Sequence, residues 1–442
     1  MANGRGHPES SRKRCRCYRL LLLGLVATLA TATERLAYAP LWTKEKKKVV
    51  VLGGGFAGLA VVRHLRRNFE VTLVDAKKYF EFIPGMVRPY SNPDLHRKLV
   101  VDYASVCKKM KVSWIWGAAE KLQGNEVVVQ LNSSDQHRVA YDYCVVATGC
   151  DFGSLWAVSP TSGTRPIDRR YLEGRQKEIE KEYDQLTELA DRGAHVAVIG
   201  AGFVGVEFAT ELKHYFPSLQ ISLASRSECC CPTMPKSARS YIQKYLDKHN
   251  ITTYYQVEYP NEDAAANTLW TRFGRPCPER VFKSMGMRPH CSFLPPECLT
   301  EKGWVKMTPT LQIANGSEAD LGAIDGKVFA IGSCIDQVPG VDPLPKNSFP
   351  AEEMAAHVAR NIRRSARGKK MKPFYWPLLA GVSATSLGPK DGVLLLQRNI
   401  SSGGMVALRG RAVVWVKEII RWTKVDECKL GILGRLFWHF VH

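Results

Sequence analysis

Two short runs of unbroken apolar residues stand out along the chain, each followed by glycines and then by a helical period. "VVVL", Val49 to Leu52, has no polar position among its mostly β-branched side chains, the pattern of a strand covered on both faces of a parallel sheet. After Gly53, Gly55 and Gly58 the apolar positions fall three and four apart, which predicts a helix starting near Ala57. A second strand, "FEVTLVD", ends at Asp75. Far downstream the series repeats: "HVAVI", then Gly200, Gly202 and Gly205, then the helical "VGVEFATELKHYF", then the strand "LQISLAS" ending at Ser225-Arg226. Two further buried strands are expected in "YDYCVVATGC" (Tyr141 to Cys150) and "GKVFAIGSCID" (Gly326 to Asp336). The charged stretch from Asp168 to Gly193 predicts a solvated linker helix without chemistry of its own. Alternating strands and helices of this kind predict an α/β fold with two Rossmann-like dinucleotide-binding domains.

The spacing G-x-G-x-x-G gives each glycine a separate role. The first permits a tight turn, the second lets backbone approach a pyrophosphate, and the third lets the helix pack on its strand. The first-turn N–H groups and the positive helix end then face the phosphates. Gly53, Gly55, Phe56, Ala57 and Gly58 form one expected cradle, and Gly200, Gly202, Phe203, Val204 and Gly205 the other. Asp75, 22 residues after Gly53, stands where a carboxylate accepts the ribose hydroxyls, with Lys77 close by. The second copy has no such acid. Arg226 there suits a 2′-phosphate, so NADPH is slightly favoured over NADH.

Ala147-Thr148-Gly149 closes one of the later strands, Gly332-Ser333 closes another, and Gly286 and Pro289 punctuate "SMGMRPHCSFL". Together with the two cradles, in this order, these motifs resemble those of the FAD-dependent pyridine nucleotide oxidoreductases from about Lys47 to about Arg398. The resemblance implies FAD in the first cradle, NADPH or NADH in the second, and a hydride passing between them. It implies an NAD(P) lobe inserted in the FAD lobe: a targeting presequence over 1–45, the first part of the FAD-binding domain over 46–165, the linker helix and NAD(P)-binding domain over 166–298, the second part of the FAD domain over 299–380, and a C-terminal membrane-association region over 381–442. Ser333 departs from the family's aspartate at the flavin, and a hydroxyl gives a weaker bond than a carboxylate.

"YFEFIPGMVRPY" (Tyr79 to Tyr90) and "TSLGPKDGVLLL" (Thr385 to Leu396) further resemble the type II NADH dehydrogenases and the apoptosis-inducing-factor-like quinone oxidoreductases. Those are monotopic proteins that pass electrons from NAD(P)H through FAD to a quinone. By this resemblance Phe82 to Gly85, including Pro84, brings backbone close to the isoalloxazine, and Glu207 lies near the nicotinamide. A helix beginning around Asn347, capped by Ser348 and with Pro350 in its first turn, would point its positive end at the flavin. Glu352 and Glu353 in that turn are candidate proton relays to a quinone.

Charge and cysteine adjust this picture. The net charge of +20 favours an anionic partner, and the tail "RGRAVVWVKEIIRWTKVDECKLGILGRLFWHFVH" interleaves basic and aromatic residues at helical steps, as in a helix lying in a lipid headgroup region. No nucleic-acid motif accompanies the charge. The leader joins "RKRCRCYR" to an apolar run from Leu20 to about Ala32, with Ala30-Thr31-Ala32 as a cleavage site, so a peripheral location on a mitochondrial, plastid or secretory-route membrane is expected. A homodimer is left open. No cysteine lies between Gly53 and Val106, which disfavours disulfide-reductase chemistry, and no paired Cys-x-x-Cys spacing suggests a metal. Two alternatives follow from departures. Cys150 and Cys334, each just beyond a flavin-lobe strand, suit a sulfide:quinone oxidoreductase. Ser333, with the short polar stretch "PNEDAAANTLWTRFGRPCPERVF", suits a flavoprotein-like binding or signalling scaffold.

Overall fold

The computed structural model of the chain describes residues 45–131, 135–152, 171–259, 263–314, 326–376, 381–397 and 404–441. The leader and its cleavage site lie outside them.

Five parallel strands make the first sheet, in the order Val328–Ala330, Tyr143–Val146, Lys48–Leu52, Glu70–Asp75, Ser113–Trp116. The cradle strand is central, with Val49 opposite Val71 on one side and Tyr143 on the other. Both its faces are covered, which is why Val49 to Leu52 needs no polar alternation. The helix Phe56–Leu65 is buried almost all round because the helix Ser348–Ala366 packs along it. The chain passes from Ser113–Trp116 to Tyr143–Val146, its third and fourth strands in sequence, through an antiparallel meander, Ala118–Gln123, Glu126–Gln130 and Gln136–Ala140.

The second sheet falls between Tyr143–Val146 and Val328–Ala330 in the sequence. Its four parallel strands run in the order Thr252–Tyr254, Gln220–Ala224, His195–Ile199, Arg280–Lys283. Here the corresponding crossover contains a helix, Asp263–Arg272, in place of strands, and it buries Trp270 fully. The indole packs edge-on to His195 and Tyr254, at 5.1 and 5.8 Å between ring centroids. Where the chain leaves the first lobe and where it returns, Cys150–Phe152 and Met287–Pro289 pair antiparallel.

The linker helix spans Leu172–Asp191, and one expectation about it is corrected. It is not solvated all round: Arg175, Ile179, Leu186 and Leu189 form a buried stripe. Arg175 is only 2% exposed and donates to Glu81 at 3.1 Å and Glu178 at 3.0 Å. A paired guanidinium is admissible inside where an unpaired one is not.

The C-terminal region is an antiparallel sheet of Gly381–Leu387, Asp391–Gln397 and Met405–Arg409, followed by helices Arg411–Cys428 and Ile432–Val441. Leu387, Val393 and Leu395 join the core of the second lobe, whereas Val425 and Cys428 join that of the first. The tail therefore straddles both lobes. Among the described residues no helix is long and apolar enough to cross a membrane.

Candidate active site

Gly53 adopts φ +96°, and a Cβ there would stand 2.5 Å from the Ala147 carbonyl oxygen, so the turn tucks beneath the neighbouring strand end only as glycine. At Gly58 a Cβ would lie 1.8 Å from the Gly53 oxygen, which fixes the close approach of helix and strand. Gly55 is different. A Cβ there would meet nothing within 4 Å, and no side chain caps the helix that starts beside it. The space above Gly55 is thus open and faced by first-turn N–H groups without a side-chain acceptor, the fit a pyrophosphate requires. The second cradle repeats all three features: Gly200 at φ +107°, 1.8 Å between a Gly205 Cβ and the Gly200 oxygen, and open space at an uncapped Gly202. Phe203 and Val204 pack partly on the second core, and Gly286, at φ +80°, has open space before it.

Around the first cradle the remaining expected residues gather at the strand ends. Phe56 packs edge-on to Phe80 and Phe82 of the Tyr79 to Tyr90 stretch. Ala57 faces Gly332, where a Cβ would come within 3.4 Å of it. Ala147 donates its N–H to Leu52, the Thr148 hydroxyl lies 3.7 Å from the Cys291 sulfur, and Gly149 turns at φ +70°. Asp75 accepts the N–H groups of Gly54 at 2.6 Å and Lys77 at 2.7 Å, so it braces the glycine turn itself. Burial pushes its pKa up against the pull of Lys77 and these bonds. The Lys77 ammonium reaches Glu81 at 3.7 Å. Ser333 sits in the Gly332–Cys334 turn, its carbonyl accepting from Lys346 at 3.4 Å. Arg226 is 69% exposed, and its ion pair with Glu258, at 3.9 Å, is solvated.

The acids singled out in the sequence have partners that no local pattern announces. Glu207 is buried and accepts the Ser386 N–H at 2.7 Å, the Ser386 hydroxyl at 3.1 Å and the Lys417 ammonium. One turn on, Glu211 meets Arg88 at 3.4 Å; burial raises its pKa and Arg88 opposes the rise. Glu352 is buried against Lys424, at 2.8 and 3.0 Å, and Lys424 also reaches Glu427 at 2.7 Å. Arg63 of the cradle helix closes this group at 3.2 Å from Glu427. Glu353 is partly exposed in the same turn. The helix cap is Asn347, whose side chain accepts from Phe349, rather than Ser348, which is already helical; Pro350 lies in the first turn as expected.

Lys417 and Lys424 are seven residues apart and share the inner face of the tail helix. On the opposite face Trp415, Ile419 and Trp422 are exposed, Trp415 by 72%. Between this helix and the Phe82 to Arg88 loop lies a cavity of about 120 Å³, lined by Phe82, Pro84, Arg88, Ser386, Lys417 and Arg421 among others. Lys417 and Ser386 both line the cavity and both bond Glu207, and of the two only Lys417 carries a charge.

The family model for pyridine nucleotide-disulphide oxidoreductases matches residues 47–360, most of the chain. The chain belongs to that family. The curated relatives of this pyridine nucleotide-disulphide oxidoreductase include apoptosis-inducing factor homolog B of Dictyostelium discoideum, 22% identical over 388 residues, with 82% of this chain and 92% of the relative covered. They also include the type II NADH:quinone oxidoreductase of Staphylococcus aureus strain NCTC 8325, 23% identical over 443 residues, covering 89% of this chain and 98% of the relative. Among solved structures, the sulfide:quinone oxidoreductase of Aquifex aeolicus superposes with TM-score 0.68 at 16% identity, covering 87% of this chain and 92% of that one. NDH2 from Plasmodium falciparum in complex with NADH gives 0.65 at 13% identity, covering 90% and 98%. These structural likenesses establish the α/β fold with two Rossmann-like parallel sheets. Family and fold together are those of FAD- and NAD(P)H-binding oxidoreductases.

Proposed function

We propose that this protein is an NAD(P)H:quinone oxidoreductase working at a membrane surface. The observation that carries the reading is the tail helix. Its Lys417, Lys424 and Glu427 point inward to ion pairs while its indoles point outward, the reverse of a soluble surface helix, and its inner face walls a cavity against the Phe82 to Gly85 turn. An apolar headgroup-level face beside a cavity at the flavin turn suits a lipid-borne acceptor. The relatives' names, which include type II NADH:quinone oxidoreductases, support the same class of substrate.

Gly53, Gly55, Phe56, Ala57 and Gly58 would hold the FAD pyrophosphate, with Asp75 at the ribose and Gly149, Gly332 and Ser333 along the flavin side. FAD, once bound, would take a hydride from NAD(P)H and give two electrons to the quinone. Gly200, Gly202 and Gly205 would hold the second dinucleotide, and Arg226, mostly exposed and in only a solvated pair with Glu258, would favour NADPH. Lys417, held by Glu207 at the cavity wall, is the side chain placed to hand a proton to a reduced quinone; Glu352, locked to Lys424, positions the tail. Purified full-length protein should be yellow, be bleached by NADPH, and reduce a soluble quinone analogue faster once bound to anionic vesicles. A colourless protein that takes up no added FAD is a binding scaffold, and the proposal fails.

A further inference from the structure

The cavity between the tail helix and the Phe82 to Arg88 loop has a lining of two kinds. Part of it is apolar, including the buried Phe82, Val87 and Leu99 and, from the tail, Val414. The rest carries an unbalanced charge: Arg88, Lys98, Lys417 and Arg421 against one lining carboxylate, Glu418. The acids that reach these cations are already committed. Lys417 is held by Glu207 from behind the cavity wall, Arg88 meets Glu211 at 3.4 Å as well as Glu418, and Arg421 donates to the same Glu418 at 2.9 Å. One carboxylate thus serves two guanidiniums. Lys98 is left over. Its side chain is exposed and makes no ion pair among the described residues, while its carbonyl accepts from Arg421 at 3.3 Å and so keeps that guanidinium alongside it.

Like charges gathered around one small cavity repel, and Glu418 offsets only part of that repulsion. A neutral ring can accept hydrogen bonds from these cations but leaves the excess charge in place. An anion removes the excess and gains the stronger, charge-assisted bonds. We infer that the cavity selects an anionic acceptor: a ring quinone bearing an ionised hydroxyl or other acid group, its ring on the apolar lining and its charge at Arg421 and Lys98. The inference rests on the quinone-reductase reading and narrows its substrate class. A hydride from NAD(P)H and one proton drawn from solvent supply the two electrons and two protons that turn the quinone carbonyls into hydroxyls, and the anionic substituent leaves with its charge unchanged. Arg421 and Lys98 therefore set specificity and orientation and take no part in the electron count. Because Lys98 is exposed, its share of the attraction also acts on the approaching anion and weakens as salt rises.

The test separates charge selection from quinone binding itself. Dissociation constants of the full-length protein, without NAD(P)H, are measured by equilibrium dialysis at neutral pH for 2-hydroxy-1,4-naphthoquinone, whose ring hydroxyl is then ionised, and for its neutral 2-methoxy ether. The anion should bind about tenfold more tightly than the ether or better, and Lys98→Met and Arg421→Met should each cut that ratio about threefold, with Lys98→Arg restoring it. A wild-type ratio near one, with the ether still bound, overturns the inference and leaves the quinone reading standing. A ratio unchanged in both methionine variants overturns it equally; Lys98 is exposed, so its variant is not blurred by a folding defect. Tight binding of the anion that survives Val414→Trp, which fills the cavity, puts the site elsewhere and also overturns the inference. If neither compound binds the wild-type protein, the quinone reading falls and this inference falls with it.

Discussion

The two lobes solve one problem with the same glycines and then diverge. In each, the third glycine would place a Cβ 1.8 Å from the first glycine's oxygen, and the second is open. Beyond that the lobes share little. The first crosses from its third strand to its fourth by an antiparallel meander and braces its turn through Asp75, whereas the second crosses with the aid of a helix built on Trp270 and has Ser225-Arg226 at the matching strand end. The tail repeats the contrast. It grips the first lobe through Lys424, 2% exposed between Glu352 and Glu427, and the second through Lys417, 21% exposed on Glu207. Phosphate cradling is a local property of spacing, while ligand choice and mechanical attachment come from residues around it.

The strongest way to separate the lobes is to fill one open cradle at a time. Gly55→Val and Gly202→Val both place atoms in empty space at ordinary negative φ, so folding should survive. Gly55→Val should cost FAD, about 100-fold in affinity or more, through loss of several charge-assisted N–H contacts to the pyrophosphate. Gly202→Val should keep the yellow colour and lose reduction by NADPH by a similar factor. Absorbance at the flavin band and stopped-flow bleaching read the two outcomes, and loss of colour in both variants would erase the distinction between the sites.

Next in size is the tail's grip. Lys424→Met leaves Glu352 and Glu427 buried with Arg63 as their remaining cation in this group, at a cost of about 3–5 kcal/mol. Lys417→Met leaves Glu207 its two Ser386 bonds and costs about 1–2 kcal/mol. Urea unfolding measures both; equal losses would mean that the tail holds the lobes alike. A smaller change is expected from Arg226→Glu. That guanidinium is mostly solvated, so the NADPH-to-NADH preference should fall by about tenfold, roughly 1.4 kcal/mol, as measured by steady-state kinetics with each cofactor. An unmoved ratio would remove Arg226 from the 2′-phosphate site.

These contrasts also mark how far the sequence could be read. The strands, glycine turns and lobe order are legible because spacing and periodicity are local. The Glu352 and Glu207 environments are not, since Lys424 and Lys417 lie 72 and 210 residues away and no window contains both partners. Arg175 was hidden for a different reason: hydropathy assigns a guanidinium to solvent, and only its distant partner Glu81 reveals a buried stripe. The crossover helix carried a usable signal, Asp263 ahead of three alanines, which marks a helix start within a stretch otherwise read as polar loop. Asn347 preceded Ser348 by one residue, and either side chain suits a cap; the backbone decided between them.

The finest distinction between the lobes is electrostatic, and it has a sign. Glu81 and Glu211 are both buried acids facing an arginine, Arg175 in one case and Arg88 in the other. Burial raises both, but at Glu81 the sum of Arg175, Lys77 and His96 outweighs it and holds the carboxyl far below its ordinary 4.5, whereas at Glu211 burial wins. For Glu81 the unfolded chain binds the proton first, so its contribution is complete above pH 4.5 and is lost as pH falls towards the folded value. For Glu211 the folded chain binds the proton first, so stability from this group rises as pH falls through the folded value towards 4.5. Either slope is at most about 1.4 kcal/mol per pH unit for one proton. Glu81→Gln should therefore flatten the loss of stability below pH 4.5, and Glu211→Gln should remove a gain above it, in urea titrations across that range. Two variants with the same slope change would show that the two arginine contacts are electrostatically equivalent, and the asymmetry between the lobes would then end at the tail lysines.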